Sequence, residues 1–222
     1  MEIRRIDLGM VNAYILMTGG NAVLIDTGMP FHRQKVEAAI GAAGIKPGTL
    51  KLIILTHGDI DHSGNGRYLR DKYGAPVAMH KNDAGMVGSG NFMTKRKVKS
   101  LVMRLMHLFM GRSRRFKEIL SSFERFTPDI FLEDGLSLAE YGTDAKVAHI
   151  PGHTPGSIAV FTPDRDLFCG DTMNNRGKRP SGASIVENEA DLKISMGKID
   201  ALGAKQVYPG HGRPFKMSEF IR

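Results

Sequence analysis

Four potential metal ligands fall within six positions of this 222-residue chain, in Thr56-His57-Gly58-Asp59-Ile60-Asp61-His62. Neutral imidazole and carboxylate are ligands that zinc, iron and manganese accept, and a loop at the end of a strand can turn several of them toward one point. Three further segments set a polar group among glycine and proline directly after an apolar run. They are Pro151-Gly152-His153-Thr154-Pro155-Gly156-Ser157, Cys169-Gly170-Asp171-Thr172 and Pro209-Gly210-His211-Gly212. Glycine and proline at such positions permit sharp turns and close backbone approach to a shared site. Cys169 is the one cysteine, which excludes a multi-cysteine zinc site and an internal disulfide, so a metal must be held by His, Asp or Glu.

The elements that must position these groups follow from the apolar pattern. Strands are expected over 12–17 and 22–26, the second ending at Thr27-Gly28, with a helix over 31–43 closed by Gly44 and Pro47. Leu52-Ile53-Ile54-Leu55 is continuously apolar, as a strand buried on both faces should be, and it leads straight into the His57–His62 cluster. A helix over about 63–73 and a strand over 76–79 continue the β-α-β alternation. After Pro128 the pattern returns, with strands expected over 146–150, 157–161, 166–169 and 206–208 and a helix over 190–202. This is an α/β chain of two strand-rich layers with helices outside. It reads as a single domain, 1–222, interrupted by a basic helical insertion at about 86–127.

Together with Leu24-Ile25-Asp26-Thr27-Gly28, these motifs resemble in order and spacing those of the metallo-β-lactamase superfamily, and the resemblance covers most of the chain. It implies a four-layer αββα sandwich and a dinuclear metal site at one edge of it. Carried over by position, one metal takes His57, Asp59 and His153, the other takes Asp61, His62 and His211, and Asp171 bridges them. Two divalent ions are therefore expected, zinc first, with iron or manganese as alternatives. Asp59 departs from the family's usual pattern, which has a second histidine there. A carboxylate is a harder ligand than imidazole and carries charge, which favours iron or manganese relative to zinc without excluding zinc.

The chemistry implied is hydrolysis. Two cations sharing a water present hydroxide near neutral pH and polarise the substrate's carbonyl or phosphoryl oxygen. Asp61 would orient that nucleophile and pass a proton to the leaving group. The expected substrate is a small-molecule ester, thioester or lactone, with chemistry like that of glyoxalase II or a lactonase. Eleven residues follow His211, too few for the C-terminal helical region with which glyoxalase II enzymes bind glutathione. Two other readings stand beside this one. A di-iron redox protein related to the flavodiiron branch would share the acidic residue at Asp59, and a metal-stabilised binding or regulatory module would keep the ligands without the reaction.

Apolar residues make up 41% and charged residues 24%, which excludes a disordered chain. The start, MEIRRIDLGMVNAY, lacks the apolar core of a secretory signal and no run is long enough to span a membrane, so a cytoplasmic protein is expected. The net charge of +8 lies in one place, because Lys95 to Arg125 holds ten Lys or Arg against Glu118 and Glu124. The neutral body argues against nucleic acid as a partner. Within that segment Val98, Leu101, Val102, Leu105, Leu108 and Phe109 fall at helical spacing, with Met103, Met106 and Met110 as a second stripe. Such a helix is expected as a lid over the metal mouth, as a packed hairpin or homodimer contact, or as a membrane-surface contact.

Arg176, Lys178 and Arg179 follow the bridging position in a Gly- and Pro-containing loop; a solvated loop is the first expectation for them, and contact with an anionic substrate group the alternative. Cys169, two residues before Asp171, is expected on the same strand face as a small core residue. His80 is expected to hydrogen-bond behind the ligands, His32, His107 and His149 to pack or lie at the surface, and Tyr208 to pack within its strand.

Overall fold

The computed structural model describes residues 1–92, 97–98 and 113–220. One sheet contains β1 (Glu2–Asp7), β2 (Asn12–Thr18), β3 (Asn21–Ile25), β4 (Leu50–Ile54), β5 (Val77–Met79) and β7 (Ile130–Phe131), side by side in that order. The first three strands form an antiparallel meander and the remainder run parallel. Helix Arg33–Ala42 makes the crossover from β3 to β4, and helices Ile60–Ser63 and Gly66–Tyr73 the one from β4 to β5. The second sheet is ordered β14 (Phe215–Lys216), β13 (Gln206–Gly212), β10 (Asp166–Asn175), β9 (Ile158–Phe161) and β8 (Lys146–His149), with β11 (Ser181–Gly182) paired to the end of β10. Its parallel pair, β10 and β13, is joined through helix Glu189–Leu202.

Strict alternation along the strands builds the layers. Tyr14, Leu16, Val23, Ile25, Leu52 and Ile54 face Val147, Ile158, Val160 and Phe168 of the other sheet and form the central core. Their neighbours Ile15, Leu24, Ile53, Leu55, Val77 and Met79 point the other way, onto Val36, Ile40 and Leu69 of the helices. Ala148, Ala159, Leu167 and Val207 of the second sheet pack beneath Ile199. The order helix, sheet, sheet, helix is the αββα sandwich that the resemblance implies.

Several boundaries differ from the sequence reading, each for a physical reason. β1 was not anticipated, because polar residues dominate Glu-Ile-Arg-Arg-Ile-Asp and it is an edge strand with only Ile6 buried. The helix expected over 63–73 is split at Gly64 and Asn65. A Cβ at Gly64 would stand 2.5 Å from the Gly28 carbonyl, and the Asn65 amide donates to the carbonyls of Thr27 and Met29 at 2.8 Å each. β10 runs on past Cys169 through Asp171 to Asn175, with register shifts about Gly170, whose φ is +50°. That irregularity breaks the expected phase. Cys169 joins the outer core with Ile199 and Val207, while the Asp171 carboxylate turns to the sheet edge.

Of the segment expected as a basic insertion, residues 86–92, 97–98 and 113–127 are described, and they include β6 (Lys97–Val98) and helix Arg114–Ser121. The stripe from Leu101 to Met110 and His107 lie outside the described residues. Val98 itself belongs to a strand rather than a helix, since β6 pairs with β12 (Ile185–Val186). Beyond the helix, Phe123 meets Phe92 edge-on at 4.8 Å and Phe126 is buried, both in the core beneath the first helical layer. Among the described residues no helix is long and apolar enough to cross a membrane.

Candidate metal centre

The site begins with a buried carboxylate. Directly after β3 comes Asp26, which is 1% exposed and adopts a φ of +60°, a conformation uncommon for a residue other than glycine. Its two oxygens accept the Thr56 backbone N–H at 2.8 Å and the Thr56 hydroxyl at 2.8 and 3.0 Å, and His62 Nδ1 lies 2.8 Å away. Having given its proton to Asp26, Thr56 Oγ1 is left to accept from His57 Nδ1 at 3.1 Å. Both imidazoles are thereby fixed with Nε2 facing forward. His153 Nδ1 donates to the Ile185 carbonyl at 2.8 Å and His211 Nδ1 to that of Met10. All four histidines thus use one nitrogen for support and present the other, the arrangement that sets tautomer and aim in metal-binding histidines.

The presented atoms converge. Asp59 Oδ2 lies 3.3 Å from His57 Nε2 and 3.1 Å from His153 Nε2. Asp61 Oδ2 lies 3.4 Å from His211 Nε2 and 3.8 Å from His62 Nε2. Asp171 reaches both sets, with Oδ1 3.2 Å from His62 Nε2 and Oδ2 3.1 Å from His211 Nε2 and 3.8 Å from His153 Nε2. Two groups have ligand atoms all within 4.8 Å of one another: His57, His153 and Asp171, and Asp61, His62 and His211. His57 Nε2, His62 Nε2 and Asp171 Oδ1 are buried without a hydrogen-bond partner. Buried polar atoms rarely stay orphaned, and these three point into a cluster of nitrogen and carboxylate donors of the kind that divalent metals accept. The residues fit the group.

The electrostatics of the metal-free chain follow from this crowding. Burial alone would raise the Asp171 carboxyl, but His211 and His62 hold it well below the usual carboxylate range. Burial would lower His62, yet Asp26, Asp171 and Asp61 raise it well above an ordinary imidazole, and against the same opposition Asp171 and Asp61 bring His211 to about 9. His57 goes the other way, lowered by burial and by His62.

Sequence reasoning missed the residue that spaces the ligand loops. Asp83 is 0% exposed, and its carboxylate accepts the Gly58 N–H at 2.9 Å, the Thr154 hydroxyl at 2.7 Å and the Gly156 N–H at 2.7 Å. It clamps the loop of His57 and Asp59 to that of His153. Asn12 and Tyr14 were missed as well. The Asn12 amide donates to the Pro209 and Gly212 carbonyls at 3.0 and 2.7 Å and the Tyr14 hydroxyl to Pro209 at 2.7 Å, which fixes the His211 loop. Close approach is enforced at Gly210, where a Cβ would stand 2.6 Å from both Asp171 Oδ1 and His62 Cε1.

The remaining expected residues separate clearly. His80 does not bond to a ligand; its Nδ1 accepts the Asn82 N–H at 3.3 Å, capping the turn that leads to Asp83, and its ring stacks on His149 at 3.9 Å. His149 Nε2 bonds to the Pro155 carbonyl at 2.9 Å, and His32 Nδ1 accepts the Met29 N–H at 3.1 Å. Tyr208 stacks on Phe168 at 4.6 Å inside the fold. Arg176 lines a small pocket at the edge of the ligand cluster with His153, Asp171, Asn174, Ile185 and His211, and also a larger cleft beside it. Lys178 and Arg179 are exposed further along the loop and line neither.

Comparison with known proteins places this architecture. A family model described as the metallo-beta-lactamase superfamily matches residues 6–211, and the chain belongs to that superfamily of metallo-hydrolases. It is 26% identical over 202 residues to a beta-lactamase-like protein 2 homolog of Caenorhabditis elegans, covering 90% of this chain and 55% of that protein. It is 30% identical over 173 residues to a hydroxyacylglutathione hydrolase of Pelagibacter ubique, covering 77% and 55%. The chain thus spans little more than half the length of these two relatives. Among solved structures it is similar to TTHA1623 in a di-iron-bound form, with 25% identity and a TM-score of 0.67 over 98% of this chain and 96% of that one. The superfamily binds divalent metals, and the two His/Asp groups are the candidate place for them.

Replacing Asp83 with Ala leaves the Gly58 and Gly156 N–H groups buried without their acceptor, while the Thr154 hydroxyl keeps Ser157 Oγ at 2.7 Å. Urea unfolding of the metal-free protein should show a loss of about 2–3 kcal/mol, at one or more per orphaned donor. A loss well under about 1 kcal/mol would mean that the loops are spaced by something else.

Proposed function

We propose that the chain is a dinuclear metal hydrolase that cleaves a small-molecule ester, thioester or lactone. The observation that carries this reading is Asp171, whose carboxylate reaches the orphaned Nε2 of His62 on one side and the His153 set on the other. His57, Asp59 and His153 hold one ion, Asp61, His62 and His211 hold the second, and Asp171 is shared. When bound, two such cations make a water acidic enough to attack near neutral pH and polarise the scissile carbonyl, which removes the need for a serine or cysteine nucleophile. Zinc is the first expectation for both ions. The hydroxyacylglutathione hydrolase among the relatives supports acyl-bond cleavage as the reaction.

Asp61 is the proton-handling residue. In the metal-free chain burial would raise its carboxyl and His62 and His211 lower it; its Oδ2 lies 3.4 Å from His211 Nε2 and 3.8 Å from His62 Nε2, where it would orient the attacking water and pass a proton to the leaving oxygen or sulfur. The small pocket of Asn174, Arg176 and Ile185, about 20 Å³, has room for a water beside Asp171. β6 of the insertion hydrogen-bonds to β12, whose Ile185 carbonyl orients His153. This supports a reading of the insertion as a wall or lid of that pocket, with contact to a second subunit as the other role its basic helix could serve. A cytoplasmic setting fits the single cysteine, whose thiol burial pushes up to about 12.

Two observations favour a second reading. Asp59 puts a carboxylate against both His57 and His153, and TTHA1623 is described in a di-iron-bound form. A di-iron redox centre is the alternative.

Elemental analysis of protein purified without added metal, run with a panel of chromogenic ester, thioester and lactone substrates, separates the two. Two zinc or manganese ions with turnover are expected; two irons with an oxidised di-iron absorption and no hydrolysis would replace the hydrolase with the redox centre. In fully metallated protein Asp61→Asn should lower kcat by about 10²–10⁴-fold, the usual worth of a positioned proton-transfer group. Unchanged turnover would remove Asp61 from that role. Asp59→His exchanges a hard ligand for a borderline one and should raise the zinc-to-iron ratio of the purified protein. An unaltered ratio would show that Asp59 does not govern metal choice.

A further inference from the structure

Beside the ligand cluster lies an open cleft of about 660 Å³, within the range of small-molecule sites. β1 contributes Arg5 and Asp7, the β1–β2 turn Gly9 and Met10, the end of β10 Asn175, Arg176 and Gly177, and the end of β13 Gly212 and Arg213. Three arginines therefore face it with one carboxylate. That carboxylate is already engaged, since Asp7 pairs with Arg5 at 2.5 Å and accepts the Gly9 N–H at 2.9 Å. Arg5 is further held by Asn12 Oδ1 at 2.9 Å. Neither Arg176 nor Arg213 has a carboxylate partner among the described residues.

The two arginines are tied to each other and to the candidate metal centre. The Asn175 side-chain amide donates to the Arg213 carbonyl at 3.1 Å, joining the two loops. Arg176 donates to the Met10 carbonyl at 3.4 Å, the same oxygen that takes the proton of His211 Nδ1. Arg176 thus lines both the cleft and the small pocket at Asp171. Met10, 72% exposed, gives the cleft an apolar edge. A guanidinium presents a fork of donors matched to carboxylate and phosphate oxygens.

From this, and resting on the hydrolase reading above, we infer that Arg176 and Arg213 recognise an anionic group at the far end of the substrate. The substrate class is an ester or thioester with a carboxylate or phosphate held in the cleft, a short apolar stretch passing Met10, and the scissile carbonyl at Asp171. The reaction is ordinary hydrolysis: water adds to the carbonyl carbon, the bond to the leaving oxygen or sulfur breaks, and the leaving group takes up the proton.

The test uses metal-loaded protein and two esters of similar length, mono-4-nitrophenyl glutarate and uncharged 4-nitrophenyl butyrate. The wild type should prefer the glutarate ester in kcat/KM. The double variant Arg176→Gln, Arg213→Gln should lose about tenfold of that preference, chiefly through KM, as expected for loss of charge-assisted hydrogen bonds. Lys46→Gln, which removes a positive charge from a turn away from the cleft, should keep the preference. A preference unchanged in a folded double variant overturns the inference. If neither ester is turned over, calorimetric titration with glutarate and with inorganic phosphate tests the cleft directly, and the hydrolase reading itself falls only if the thioester and lactone panel is inert as well. Binding that disappears in the double variant upholds anion recognition, and whichever probe binds identifies the group; no arginine-dependent binding of either overturns it.

Discussion

A carboxylate buried at the end of a strand is costly to remove from water unless hydrogen-bond donors surround it, and the architecture around Asp26 is the solution to that requirement. Thr56 supplies two donors and His62 a third, while the Thr56 hydroxyl passes the constraint on to His57. One residue at the edge of the first sheet therefore sets the tautomer and aim of an imidazole in each of the two ligand groups. The positive φ of Asp26 is the local strain this arrangement carries, and the parallel pairing of β3 with β4 is what brings Asp26 and Thr56 together.

The sandwich provides the second half of the centre by the same logic on the facing sheet. β10 and β13 pair in parallel and carry Asp171 and His211 on adjacent strands, and the irregularity at Gly170 turns Asp171 to the edge instead of leaving it in phase with Cys169. Asp83 holds the loops of His57 and His153 at a fixed separation, and Asn12 and Tyr14 hold the His211 loop from the opposite sheet. The central core of Tyr14, Ile25, Ile54 and Phe168 keeps the two sheet edges in register with one another. Rigid support of this kind is what allows buried imidazole and carboxylate atoms to stand without hydrogen-bond partners while aimed at a common point.

What could be read from the residues was the part that is local. His57 to His62, Gly152-His153, Gly170-Asp171 and Gly210-His211 are short segments in which candidate ligand and turn-former are neighbours, so type and spacing singled them out, the resemblance supplied their grouping, and the structure brings them together. The four layers were equally legible, because Leu52 to Leu55 and the alternating strands declare their burial. Asp83, Asn12 and Tyr14 were not, since each is a lone polar or aromatic residue whose partners lie far along the chain: Thr154 for Asp83, Pro209 for Asn12 and Tyr14. The phase of Cys169 failed because a two-residue period assumes a regular strand, and a left-handed glycine in between removes that assumption. The choice among Arg176, Lys178 and Arg179 depends on where a loop folds back, which charge alone does not encode.

On the proposed reading, the two histidine sets hold a pair of ions with Asp171 between them. Anomalous diffraction from crystals of the metal-loaded protein, collected on either side of the absorption edge of the bound element, tests it directly. Two peaks about 3.5–4 Å apart are expected, the usual spacing of a two-metal site, one at His57 and His153 and one at His62 and His211, with Asp171 oxygens reaching both. A single peak, or metal bound away from Asp171, would contradict it.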